Sequence, residues 1–287
     1  MNILVTGGNG FLGSNVAKAL TNEGHKVTII DIKKPPKKFF EKKISFFKGS
    51  IKNRKFLNTH IKNKDVIYHF AGMPGIGECL DKPIETIKNN LEPTVEILKS
   101  CLKHNVKRII YASTIYVNSE QGGFYKSSKR AAEDYIEEFS KKYNLNFTIL
   151  RFGTIYGENA SKENTILNII KNSYLTGIIS YQGSRENVRD YLNIKDAAKM
   201  SVLCLKKKFK NKFVYLTGEK KFSMKNVCQL IKKITKNKYK IIFKSKKLPG
   251  HYIKNPNTFK LRSGIKLKLN KYINLENGIK SIINNEF

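Results

Sequence analysis

Asn2-Ile3-Leu4-Val5-Thr6-Gly7-Gly8-Asn9-Gly10-Phe11-Leu12-Gly13 opens the chain. A short apolar run ends in glycines at 7, 10 and 13, and a helix-compatible stretch, Phe11 to Asn22, follows. A second apolar run, Val27-Thr28-Ile29-Ile30, then ends on Asp31. Strand, glycine turn, helix, strand and acid in that order form a dinucleotide-binding pattern, which a glycine triplet alone does not. Gly7 suits the tight turn, Gly10 lets backbone approach a pyrophosphate, and Gly13 lets helix and strand pack closely. The amides at the helix start, Phe11 and Leu12 among them, face the anion with the positive end of the helix dipole. Asp31 is expected to accept hydrogen bonds from the adenosine ribose and to repel a 2′-phosphate. The cofactor is therefore expected to be NAD, although Lys33-Lys34 could offer that phosphate a partner.

Outward from this start, strands and helices alternate. Ile44-Ser45-Phe46-Phe47, Val66-Ile67-Tyr68-His69-Phe70, Arg108-Ile109-Ile110-Tyr111-Ala112 and Phe147-Thr148-Ile149-Leu150 read as strands. Helical periodicity fills Glu85 to Lys103 and Ser128 to Lys142, and Pro35-Pro36 marks a loop after the second strand. The fold class expected is α/β, a Rossmann doubly wound parallel sheet with a smaller interleaved C-terminal substrate-binding lobe. Residues 1–157 would form the cofactor unit. Residues 158–287 would form mainly the lobe, with 190–217 returning to the sheet, Phe213-Val214-Tyr215-Leu216 as a return strand and a helix over Ser223 to Ile234.

The 287 residues carry a net charge of +33, from 55 Lys and Arg against 22 Asp and Glu. Only seven of the 55 are Arg. Residues 201–287 hold 23 Lys or Arg against three Glu, so +20 of the +33 lies there. Lysines scattered among Asn and Ile read as a residue bias that leaves a solvated basic face, ahead of an anionic substrate or membrane surface. Nucleic acid comes last, since no zinc finger, recognition helix or aromatic platform accompanies the charge. Because Arg is scarce, Arg151, Arg185 and Arg189 draw attention as bidentate anion ligands. Cys79, Cys101, Cys204 and Cys228 match no metal or redox spacing and read as buried thiols; no metal site is expected. No span of about 18 apolar residues exists, and the N-terminal run has no signal-peptide order, so a cytoplasmic location is expected.

Tyr125-Lys126-Ser127-Ser128-Lys129 sets a phenol and an ammonium four residues apart on one face of a helix start. Lys129 is expected to depress the phenol's pKa, so that Tyr125 can take a proton from an alcohol near neutral pH. The pair follows a strand that ends in Ser113-Thr114, which brings a hydroxyl to the carboxyl edge of the sheet, where ligands bind in such folds.

Gly7 to Gly13, Asp31, Ala112-Ser113-Thr114 and Tyr125 to Lys129 together resemble the extended short-chain dehydrogenase/reductase superfamily. Within it, the likeness is to the NAD-dependent epimerase/dehydratase group that acts on nucleotide sugars, and it runs the whole length. The resemblance implies that Tyr125 is the general base, with Lys129 as its partner and nicotinamide-ribose ligand. Thr114 would be the supporting hydroxyl, with Ser113 the fallback. It also implies cofactor contacts from Ser50-Ile51 and Phe70-Ala71-Gly72, and a matched Asn at Asn90. Arg151-Phe152-Gly153-Thr154-Ile155-Tyr156-Gly157 resembles the passage into the substrate lobe. Gly183 to Tyr191 with Asp196 resembles an Arg-Asp segment in which Arg189, with Arg185 nearby, would bind the substrate diphosphate.

Departures from the pattern carry information. Dehydratases of the group place an Asp-Glu pair right after the hydroxyl residue, and this chain has Ile115-Tyr116, which disfavours elimination of water. Tyr116 is either an extra acid/base near the sugar or a packing residue. Thr154 stands where relatives often carry a substrate-binding Asn, and Ser50 where an adenine-contacting Asp is common. The expected activity is that of a nucleotide-sugar 4-epimerase that keeps NAD bound, acts on a nucleotide-diphosphate sugar and forms a homodimer. The alternatives are a 4-ketoreductase or related oxidoreductase and, from another class, a non-catalytic dinucleotide sensor, against which the intact Tyr125 and Lys129 argue.

Overall fold

The structure is a computed structural model that describes residues 1–35, 44–161, 164–236, 238–244 and 264–287. Eight strands form one sheet in the order β13-β10-β6-β5-β4-β1-β2-β3. They are β1 (Asn2–Thr6), β2 (Lys26–Asp31), β3 (Ile44–Lys48), β4 (Val66–His69), β5 (Arg108–Thr114), β6 (Asn146–Phe152), β10 (Lys212–Leu216) and β13 (Ile265–Lys266). All seven pairings are parallel. A parallel strand with helices on both sides must be apolar on both faces, and alternate residues show it. Ile3 and Val5 of β1 enter one core with Val16, Ala17 and Leu20 of α1 (Phe11–Asn22) and Ala197, Ala198 and Met200 of α8 (Ile194–Leu203). Leu4, between them, enters the opposite core with Leu57 of α2 (Arg54–Ile61), Ile97 and Leu98 of α5 (Glu92–Lys103), and Ala132 and Ile136 of α6 (Gly123–Tyr143). This is the doubly wound sheet expected from the sequence.

Two helix readings change. The stretch from Glu85 to Lys103 is not one helix but two, α4 (Pro83–Asn90) and α5, preceded by α3 (Ile76–Asp81). Pro93 explains the break: it has no N–H to donate and its ring would strike the carbonyl four residues back, so it is tolerated only in a first turn. Helix α6 begins at Gly123, five residues before the periodicity suggested. Its first turn follows Gly122 at φ +102 and packs Gly123 onto Leu80 of α3, a tertiary contact that no local pattern announces. Pro35 lies at the end of a described segment, and Pro36 with the Lys run beyond it lies outside the described residues.

Beyond β6 the chain forms β7 (Thr154–Tyr156), α7 (Thr165–Thr176), β8 (Ile178–Gln182) and β9 (Val188–Asn193) before α8 leads into β10. Strand β9 pairs with β7 and with β11 (Lys221–Ser223), so 188–193 belongs to a small three-stranded sheet, and the chain re-enters the large sheet at β10. Strand β8 pairs with β12 (Lys240–Lys244). A third core joins Ile166, Ile170, Ile179 and Tyr191 to Val227 and Ile231 of α9 (Met224–Ile234) and Ile279 and Ile282 of α10 (Leu275–Glu286). Ser223 caps α9 in a reciprocal capping box with Asn226. Among the described residues no helix is long and apolar enough to cross a membrane.

Candidate active site

Because every strand of the large sheet runs the same way, Thr6, Asp31, His69 and Thr114 end at one edge. There β1 turns through the glycines into α1. Gly7 adopts φ +65, and a Cβ on it would lie 2.6 Å from the Ala71 amide nitrogen. A Cβ on Gly13 would collide with the Gly7 carbonyl oxygen, so helix and turn close only around glycine. Gly8, not singled out from the sequence, is equally constrained, because a Cβ there would run into Ile29. No side chain caps the start of α1 at Gly10, so the amides of its first turn stay open to an anion. Asp31 reaches back over this turn, accepting hydrogen bonds from the Asn9 amide at 3.0 Å and the Lys33 amide at 3.0 Å. Bare backbone, an uncapped helix and a carboxylate at the end of β2 fit a dinucleotide.

Hydrogen bonds between strand ends bring the other residues expected to touch the cofactor beside this turn. Gly49 N–H donates to the Asp31 carbonyl, which brings Ser50 and Ile51 beside the acid; the Ser50 hydroxyl accepts from Lys52 N–H, and Ile51 leans on the core. Phe70 N–H donates to the Thr6 carbonyl and Ala71 N–H to the Thr6 hydroxyl, so 70–72 borders the glycine turn. Asn90 is buried and its amide is used within the protein. Oδ1 accepts from Met73 N–H at 2.7 Å, and Nδ2 donates to the Met73 carbonyl and to Ser128 Oγ at 3.0 Å. Asn90 therefore latches the loop after β4 to the helix that carries Tyr125 and Lys129.

Thr114, Tyr125 and Lys129 come together. The Thr114 hydroxyl hydrogen-bonds the Tyr125 phenol, and it also caps the 3-10 turn Ile115–Asn118 by accepting from Tyr116 N–H. Lys129 Nζ donates to the Ala112 carbonyl at 3.0 Å and lies 4.8 Å from the centre of the Tyr111 ring. The expected depression of the phenol is not found in the chain alone. Burial pushes Tyr125 up to about 12, the neighbouring Cys79 thiol adds to this, and the Thr114 hydrogen bond opposes it. Burial also pulls Lys129 down to about 8, against the opposing pull of Cys79 and Glu133. Both shifts follow desolvation, not the attraction between Tyr125 and Lys129 that spacing alone suggested. Ser113 points elsewhere, donating to Glu133 Oε1 at 2.5 Å.

The residues expected to meet substrate lie on the small sheet, in the turn before β9 and in the turn after β5. Thr154 opens β7 and pairs in register with Tyr191 of β9. Arg189 on β9 is buried and donates from Nη1 to the Val188 carbonyl at 2.9 Å. Arg185 is exposed in the preceding turn, 3.2 Å from Glu186, and so is separated from Arg189 by both burial and element. Tyr116 sits in the 3-10 turn, where a Cβ on Gly122 would press against its ring.

Several residues of the site escaped sequence reading. His69 is buried between Thr6 Oγ1 at 2.8 Å and Thr94 Oγ1 at 3.0 Å, and burial with the nearby Lys129 holds it neutral, at about 3. Cys79 is buried beside the Tyr125–Lys129 pair, its thiol raised by burial. Glu133 pairs with Arg151 in full burial. Only Glu133 had a detectable mark, an acid four residues past Lys129 on the helix face that reaches the core. The four cysteines are all free and buried.

Several known proteins share this architecture. A UDP-glucose 4-epimerase from Halalkalibacterium halodurans is 27% identical over 277 residues, covering 82% of this chain and 80% of its own. A UDP-N-acetyl-alpha-D-glucosaminuronate decarboxylase from Bacillus cytotoxicus is also 27% identical, over 263 residues, covering 83% and 82%. Among solved structures, a UDP-glucuronic acid 4-epimerase from Bacillus cereus, in complex with UDP-glucuronic acid and NAD, superposes with a TM-score of 0.82. It is 24% identical and covers 99% of this chain and 98% of its own. At that identity the superposition speaks for the fold. The profile of the NAD dependent epimerase/dehydratase family matches residues 3–218, spanning the glycine turn, Asp31, Thr114, Tyr125, Lys129 and Arg189. The chain belongs to the NAD dependent epimerase/dehydratase family.

Proposed function

We propose that this chain is a 4-epimerase of a nucleotide-diphosphate sugar, with a uridine diphosphate sugar the first class to test. The observation that carries this reading is the Thr114, Tyr125 and Lys129 cluster at the sheet edge, followed by Ile115 and Tyr116 where an eliminating enzyme needs an acid and a base. Such a site can move a proton on and off a secondary alcohol, and positions 115 and 116 offer no carboxylate with which to expel water. The similarity to UDP-sugar 4-epimerases supports the choice, and the decarboxylase relative shows why the test must separate reactions.

Gly7, Gly10 and Gly13 with the open amides of α1 would hold the pyrophosphate of NAD, Asp31 the adenosine ribose, and Lys129 the nicotinamide ribose. NAD, when bound, supplies reversible hydride acceptance at carbon 4 of the sugar. Tyr125 takes the proton of the 4-hydroxyl and returns it to the oxygen of the epimer, with Thr114 steering the phenol by its hydrogen bond. With the phenol at about 12 and Lys129 at about 8, the phenolate is disfavoured in the chain alone. Arg189 would clamp the diphosphate, a task for which a planar fork is better suited than lysine.

The test is a UDP-sugar deuterated at carbon 4. Epimerisation gives product that keeps the label, with no external NADH consumed or formed. Stoichiometric consumption of NADH or NADPH would replace this reading with a reductase. Loss of the 6-hydroxyl, or release of carbon dioxide from a uronic acid substrate, would replace it with an elimination or a decarboxylation.

A further inference from the structure

Glu133 lies one helical turn beyond Lys129 on α6, so the two side chains leave the same face of the helix. Its carboxylate is wholly buried and forked by Arg151 of β6, Nε to Oε1 at 3.0 Å and Nη2 to Oε2 at 2.6 Å. Oε1 also accepts from Ser113, the residue before Thr114. On the other side, Arg151 Nη1 donates to the Tyr215 hydroxyl at 2.8 Å, and that hydroxyl accepts from Asn118 Nδ2 at 2.8 Å. Asn118 closes the 3-10 turn that starts after Thr114. One network, buried at Glu133, Arg151 and Ser113 and half-buried at Tyr215 and Asn118, thus grips the chain on both sides of the Thr114 hydroxyl and ties it to the helix that carries Tyr125 and Lys129.

Stability alone is a poor reason for such a pair. Well-packed apolar residues of similar volume often replace a buried ion pair at no cost or with a gain, whereas removing one partner is strongly destabilising. We propose that Glu133 is a positioning residue for the reaction. Through Ser113 and Arg151 it fixes the Thr114 hydroxyl against the Tyr125 phenol, and it supports the positive charge of Lys129. This rests on the catalytic reading of Tyr125 above. The groups that face Lys129 are Glu133 from its own helix, Tyr111 from β5, His69 from β4 and Cys79 from α3, and Tyr125 shares the Cys79 and Tyr111 neighbours. Glu133 is the carboxylate of the set, and its attraction opposes the desolvation that draws the ammonium down.

Two variants test this, because Glu133→Gln alone leaves the Arg151 guanidinium buried without its counter-charge and can fail to fold. Ser113→Ala cuts the tie to β5 and leaves the ion pair in place. Glu133→Gln with Arg151→Met removes both charges together. In cofactor-loaded enzyme, Ser113→Ala should lower kcat about tenfold, as expected for a lost hydrogen bond to a charged group, with KM for the sugar nucleotide unchanged. The double variant should lower kcat and move the basic limb of its pH profile about one unit toward acid. Deuterium exchange of the backbone amides of residues 112–118 should quicken in both. If both variants fold and keep the wild-type kcat and basic limb, the proposal is overturned. If wild type turns over no sugar nucleotide, the epimerase reading fails by itself; exchange over 112–118 then decides for Glu133, and unchanged protection overturns it.

Discussion

Replacing Tyr125 by Phe removes one oxygen from a half-buried ring and leaves the ring's packing intact. The local cost is the hydrogen bond from Thr114, about 0.5–1.5 kcal/mol, and Thr114 keeps its second partner, Tyr116 N–H at 3.2 Å. Stability should therefore fall only slightly, a few degrees in Tm at most. The chemical cost is of another size, since loss of a positioned general acid–base group typically lowers the rate about 10²–10⁴-fold. That corresponds to about 2.7–5.4 kcal/mol of transition-state stabilisation. The two costs can be read separately: thermal melting and retained NAD report on the fold, and the rate of epimer formation, followed by proton NMR at the anomeric carbon, reports on the chemistry. NAD content should match wild type, because the glycine turn, Asp31 and Lys129 are untouched. A rate within tenfold of wild type, with melting also unchanged, would refute the assignment of Tyr125 as the base.

Lys129 has its pKa lowered from 10.5 to about 8, so between those values the folded chain binds fewer protons than the unfolded chain, and stability rises with pH across that window. Lys129→Met in cofactor-free protein should accordingly melt above wild type below pH 8, with the gap closing toward pH 10.5; parallel melting curves would refute this. Asp31→Ala should weaken NAD about tenfold, by loss of charge-assisted hydrogen bonds, and tilt selectivity toward NADP, since the carboxylate that holds Asn9 and Lys33 would no longer face the ribose. Calorimetric titration with both dinucleotides checks it, and an unchanged NAD to NADP ratio would refute it.

The large sheet was legible because its determinants are local and repetitive: apolar runs of strand length, glycines where turns admit no side chain, and an acid at the end of the second strand. Tyr125 and Lys129 were legible for a related reason, since four residues along a helix bring two side chains to one face. What stayed hidden depended on partners far away in sequence. Pro93 split a periodic stretch, Gly123 met Leu80, and burial reversed the expected pKa of Tyr125, none of which the spacing of neighbours encodes. Asn90 was visible as a matched residue, and only its contacts with Met73 and Ser128 reveal a latch.

The route of the chain through β7, β9 and α8 back to β10 also governs how this protein can be taken apart. A fragment ending near residue 157 would leave β6 as a raw edge, with its main-chain N–H and C=O groups unpaired along Thr148 to Phe152. It would also strip the Arg151 guanidinium of Tyr215 and of the rings of Phe213 and Tyr215 stacked near it. The segments before and after residue 157 are therefore not exchangeable cassettes. A chimera that borrows a foreign C-terminal segment must bring its own return strand and match the β6 register residue by residue, and grafting the short connections between strands is the gentler way to remodel the site.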